Sequence, residues 1–177
     1  MPGILRLGHP QLRRKALPIS RKDLTSVLTR RLIASMIRAM RASQGVGLAA
    51  NQICSGKRIA VIESRRNPRY PHSPEIPLMV LINPVFTWMS REKIHGWEGC
   101  LSVPGLRGEV GRSRAVRVSA IDREGRPVEI ETDTFLAVIL QHELDHLDGH
   151  VYLDRMRDFS RLAYMTEYRK YWLPREK

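Results

Sequence analysis

Cysteine is scarce in this 177-residue chain: Cys54 and Cys100 are the two it has, which excludes a disulfide framework and leaves either one bridge or a reduced chain with a functional thiol. Long apolar runs are missing as well. None approaches the roughly 20 residues a membrane helix requires, so no membrane partner is expected. The first 22 residues hold no acid, a composition shared with organellar transit peptides. Pro2, Pro10 and Pro18 interrupt any long amphipathic helix there, so the expected compartment is a bacterial-type cytoplasm. Acids are few overall: 18 Asp and Glu stand against 30 Lys and Arg, a formal charge of +12. That excess favours polyanionic surroundings and says little about fold. The basic residues are spread along the chain, so a generally basic surface and a dedicated polyanion-binding face both remain open.

What is present fits one ordinary domain, and residues 1–177 are read as a single unit without repeats or linkers. Ser20 and Asp23 resemble a helix start. Leu24, Val27, Leu28, Leu32, Met36 and Met40 recur at helical spacing and predict an amphipathic helix ending near Ser43, its stripe packed in the core. A glycine-containing loop follows at 45–52. Strands are expected over Arg58–Glu63, Leu78–Phe86, Ala115–Ile121 and Val128–Glu131, the last two joined by a hairpin turn at Asp122-Arg123-Glu124-Gly125. The proline-rich stretch 67–77 reads as a loop. Phe135–Leu147 and Ser160–Trp172 read as two further helices. Strands without βαβ alternation predict an α+β fold: antiparallel or mixed sheets packed around a central helix, with a C-terminal helix.

The sharpest chemical signal is His142-Glu143-Leu144-Asp145-His146. Positions i and i+4 share a helix face, so both imidazoles can reach one ion, and Glu143 can reach a coordinated water as general base. Phe135, Val138 and Ile139 extend this face as an apolar strip. A catalytic zinc or iron site needs a third protein ligand. The downstream pattern HExxHxxGxxH fails: Gly149 stands in place, but Tyr152 occupies the histidine position and His150 is out of register. Upstream, Cys100 lies within Glu98-Gly99-Cys100-Leu101-Ser102-Val103-Pro104-Gly105 and is a plausible third ligand. A lone cysteine is otherwise a small buried hydrophobe, the reading given to Cys54.

GVGLAANQ at 45–52, EGCLSVPG at 98–105 and QHELDHLDG at 141–149 resemble, in order and interval, the three signature motifs of peptide deformylases. The likeness runs more weakly from LRLGHPQLRRKA to VYLDRM, and LRLGHP at residue 5 leaves no room for a transit peptide. The resemblance implies a hydrolase that removes the formyl group from the N-terminal formyl-methionine of new polypeptides. It implies Cys100, His142 and His146 as metal ligands, Glu143 as catalytic acid/base, and Gln52 with the backbone N–H of Leu101 as oxyanion donors. One divalent ion per chain is implied, Fe2+ first, with Zn2+, Ni2+ or Co2+ able to occupy the site; the ligand set suits any of them. By the same likeness the substrate runs as an added strand beside Gly47. Val46, Phe135, Val138 and Ile139 are the candidate walls of a methionine pocket, or else plain core. Arg107 is a candidate contact to the downstream peptide, or else a solvated surface arginine.

Thr134 departs from the glycine common at that position in the family, and is expected to cap the metal helix without altering the chemistry. The basic segment 158–177 is a candidate ribosome contact or simply a solvated helix. Two other functions compete. A zinc endopeptidase would cleave internal bonds without needing Cys100. A non-catalytic RNA-binding protein would use the charge but leave Glu143 and Gln52 without roles, and no RNA-binding motif or specific-DNA signal is present.

Overall fold

A computed structural model describes residues 3–65 and 74–173. Among the described residues, eight strands form two antiparallel sheets. The larger has the order β1 (Gly47–Ala49), β2 (Ile59–Ser64), β3 (Ile76–Met89), β6 (Val116–Ile121) and β7 (Pro127–Thr132). The smaller joins β4 (Lys93–Cys100), β5 (Val103–Ser113) and β8 (Leu162–Tyr164). Two helices complete the domain, α1 (Val27–Ala42) and α2 (Phe135–Leu147), with a short α3 (Met165–Glu167) continuing into a wide turn at Tyr168–Trp172. The architecture is the expected α+β domain.

Every residue of β2 is buried, as expected of a run apolar on both faces. β3 breaks step between Ile82 and Val85, where Asn83 takes φ 53. Its side chain accepts from Ile19 N at 2.8 Å and donates to Ile19 O at 2.9 Å, tying the N-terminal segment to the bulge. The turn at Asp122–Gly125 closes the β6–β7 hairpin with Asp122 N bonded to Arg126 O and Gly125 at φ 87.

α2 has the predicted bounds. Thr134 caps it, accepting from Leu136 N at 3.3 Å, and Gly149 at φ 83 ends it, a left-handed position that favours glycine. Ala137, Ile139 and Leu140 pack against Ile62, Leu81, Val116 and Val118 of the larger sheet. The second half of the helix is buried almost all round, so its polar groups must find partners inside the protein.

Several expectations change. Cys54, read as a small buried hydrophobe, is exposed, and the loop expected at 45–52 holds β1 and a single helical turn at Ala50–Ile53. The first helix begins at Val27, capped by Ser26, while Ser20 closes a single turn with Asp23. Its core face is Thr29, Ile33, Met36, Ala39 and Met40, and Val27 and Leu28 are exposed. The segment 160–172 is not one helix: Leu162–Tyr164 pairs with β5 before α3 begins. β4 and β5 lie where no strand was expected, because Gly96, Gly99, Gly105, Gly108 and Gly111 weaken the local β signal. The stretch 67–77 falls largely outside the described residues, and Ile76 and Pro77 open β3.

Candidate metal centre

α2 crosses behind the end of the smaller sheet, and three donors converge there. Ligand atoms of Cys100, His142 and His146 all lie within 4.8 Å of one another. Cys100 ends β4, and its Sγ stands 3.1 Å from His146 Nε2. It also accepts from Ser102 N at 3.3 Å. Burial pushes the thiol up, but the two imidazoles more than offset this and hold it well below the usual range. A thiol easily ionised beside two imidazoles suits a divalent cation.

Glu98 lies two residues before Cys100 on β4, so both face the helix. Its Oε2 sits 2.8 Å from His142 Nδ1, which leaves Nε2 of that ring to face the other donors. Arg112 grips the same carboxylate at 2.7 and 3.0 Å and reaches Asp145 at 2.6 Å; Arg155 also pairs with Asp145 at 2.6 Å. Burial alone would raise Glu98, but His142 and Arg112 hold it at about 2. A carboxylate behind a ligating histidine fixes its tautomer and ring orientation. Motif reasoning quoted Glu98 without giving it this place; its strand parity with Cys100 is the signal that would have found it.

Glu143 and Gln52 complete the centre. Burial pushes the Glu143 carboxyl up to about 7, with the neighbouring imidazoles opposing only part of the rise. Gln52 is oriented by the backbone at the end of β1: its Oε1 accepts from Ala49 N at 2.8 Å. Its Nε2 thereby turns to Ser102 Oγ at 3.0 Å and Cys100 Sγ at 3.6 Å.

A single pocket opens over these groups. Gly45, Val46, Gly47 and Gln52, the run Trp97 to Leu101, and Phe135, Val138, Ile139, His142 and Glu143 of α2 line it. The structure thus brings together Gln52, Leu101, the three donors, Glu143 and all four apolar wall candidates. Arg107 is placed elsewhere. It is 4% exposed, neither solvated nor among the lining residues, and its guanidinium packs so closely on Gly99 that a Cβ there would lie 2.9 Å from it. Trp97 lines the pocket without having been expected. Among the described residues no helix is long and apolar enough to cross a membrane.

Comparison with known proteins agrees with this geometry. The polypeptide deformylase family model matches residues 1–162. Peptide deformylase 1 of Bordetella pertussis is 45% identical over 161 residues, covering 91% of this chain and 90% of its own. The class I type b peptide deformylase of Acinetobacter baumannii, solved with Met-Ala-Ser bound, superposes with a TM-score of 0.83 at 39% identity, over 86% of this chain and 96% of that one. A Synechococcus elongatus peptide deformylase in complex with actinonin gives a TM-score of 0.80 at 34% identity, over 91% of this chain and 82% of that one. A general zinc endopeptidase is not favoured by these relatives. The chain belongs to the peptide deformylase family, metal-dependent hydrolases that remove the N-formyl group from nascent peptides.

Proposed function

We propose that this centre hydrolyses the formyl amide of formyl-methionyl peptides through Glu143, Gln52 and Leu101, with a divalent ion held by Cys100, His142 and His146. The observation that carries this reading is the convergence of the three donor atoms within 4.8 Å, two of them, on Cys100 and His142, in residues that line the same pocket as Glu143 and Gln52. When bound, the ion supplies Lewis acidity, bringing the pKa of water it coordinates from about 15.7 toward about 7. Ferrous iron is the proposed metal because the family resemblance puts it first; the thiolate and imidazole donors also suit zinc, nickel or cobalt.

Glu143, with its carboxyl near 7, is matched to accept a proton from the attacking water and return it to the leaving amine at neutral pH. Gln52 Nε2 and the Leu101 N–H are the donors to the oxyanion that forms at the formyl carbon, each worth about 3 kcal/mol of barrier. β1 is the edge of its sheet, so its free side can take the peptide as an added strand. Val46, Phe135, Val138 and Ile139 then wall the methionine side chain. Arg107 supports β4 from behind Gly99. Formate and a free N-terminal amine are the products. The Met-Ala-Ser complex of the Acinetobacter relative supports a short methionyl peptide as ligand. The net charge of +12 favours work in a bacterial cytoplasm beside the ribosome, where new chains emerge among polyanions.

The test is formate release from formyl-Met-Ala-Ser by anaerobically purified protein. Wild type releases formate and Glu143→Gln does not; a folded, metal-loaded wild type that releases none would overturn the assignment.

A further inference from the structure

The pocket has one wall that the mechanism leaves without a task. Trp97 lines it beside Glu98 and Gly99, and on β4 its ring lies on the opposite face from Glu98 and Cys100. The segment beyond β8 holds that ring in place. Tyr168 packs on Trp97 with centroids 5.0 Å apart, and Trp172 packs on it at 5.4 Å. Arg161 lies 4.2 Å over the Trp172 ring and 5.8 Å over Trp97. Its charge is met by Glu109, at 3.1 Å, directly across the β4–β5 ladder from Trp97. Three aromatic rings and a neutralised guanidinium therefore make one cluster with an edge in the pocket. Tyr168 and Trp172 lie beyond residue 162, where the family match ends.

We infer that Trp97 is a specificity-determining residue for the peptide downstream of formyl-methionine, and that Tyr168 and Trp172 are positioning residues that hold its indole against that peptide. This rests on the deformylase reading above. Trp97 and Gly45 to Gly47 line the same pocket, so a peptide laid along β1 comes within reach of the indole. The methionine side chain goes to the lining formed by α2, and the residues after it meet the indole face. A fixed, half-buried ring favours apolar and aromatic side chains at those positions, because each gains an offset or edge contact without ordering a mobile partner.

The test compares N-formylmethioninamide, which carries nothing after methionine, with formyl-Met-Leu-Phe. Tyr168→Ala/Trp172→Ala raises KM for formyl-Met-Leu-Phe about five- to tenfold, as loss of an aromatic contact implies. Its kcat, its metal content and the turnover of N-formylmethioninamide stay at wild-type values. Tyr168→Phe/Trp172→Phe restores the low KM. If the double alanine variant does not fold, Trp172→Leu carries the same test, since that ring is 39% exposed. An unchanged ratio of the two KM values, or an equal loss on both substrates, overturns the inference while leaving the deformylase reading intact. No formate from either substrate with wild type overturns the reading itself.

Discussion

Gly47 and Glu143 are in direct contact where they line the pocket: a Cβ at Gly47 would lie 2.2 Å from Glu143 Oε1 and 2.7 Å from its Cδ. The missing side chain on β1 is what lets the carboxylate stand where a peptide bond can reach it. Gly47→Ala is accordingly predicted to push Glu143 aside and lower kcat on the order of 100-fold, the typical cost of an ångström of misplacement. Bound metal stays stoichiometric. Steady-state kinetics with metal analysis checks this, and a wild-type kcat would mean that Glu143 acts from elsewhere.

Glu98→Ala removes the partner of His142 and one of the two carboxylates on Arg112. Leaving that buried guanidinium short of an acceptor is predicted to cost about 3 kcal/mol of stability, and loss of the ring's support to weaken metal affinity about 10- to 100-fold. Urea unfolding reads the first effect and competition with a chelator the second. Unaltered affinity would show that His142 needs no carboxylate behind it.

Cys100→Ala is expected to abolish stoichiometric metal binding and turnover together. Metal retained with full activity would remove the thiolate from the ligand set. With iron bound, wild-type activity should also decay in air, because ferrous ion and thiolate both oxidise; reconstitution with zinc or nickel should slow that decay.

The acid limit of stability should depend on an ion pair outside the donor set. Glu63 on β2 is bonded by Arg41 of α1 at 2.6 and 2.9 Å, and those bonds hold its carboxyl below the usual range. A carboxyl lowered in the fold stabilises it at pH values above the unfolded pKa of about 4.3, and the contribution fades as pH falls through the lower folded value. Arg41→Met should therefore lower stability at neutral pH and flatten the decline toward acid. Urea midpoints between about pH 3 and 7 measure it; parallel curves for variant and wild type would refute the pairing.

Legibility in the sequence followed the range of the interactions. α2 was read with its true bounds because its signals are local: a capping threonine, a continuous apolar pattern and a glycine stop. The buried runs of β2, β3 and β6 were readable for the same reason. The start of α1 was not, since Leu24, buried ahead of the helix, and the exposed Val27 and Leu28 continue the apolar spacing across its true start. β4 and β5 escaped because their glycines carry no propensity. They are strands through pairing with one another, and Arg107 at Gly99 and Met156 at Gly108 fill the space a Cβ would take.

The sequence by itself determined the chemistry: two histidines one helical turn apart with a glutamate between them, a lone cysteine in a glycine-flanked motif, and a family likeness that joins them. Local spacing encodes which groups share a face, so this much needs no knowledge of distant contacts. Only the tertiary structure decided that Glu98 stands behind His142 and that Arg107 lies inside rather than on the surface. It also decided that a segment near the C-terminus reaches back to Trp97. Those relations join residues far apart in the chain, and they form because burying β4 and α2 together obliges each charged or aromatic group to find its partner across the fold.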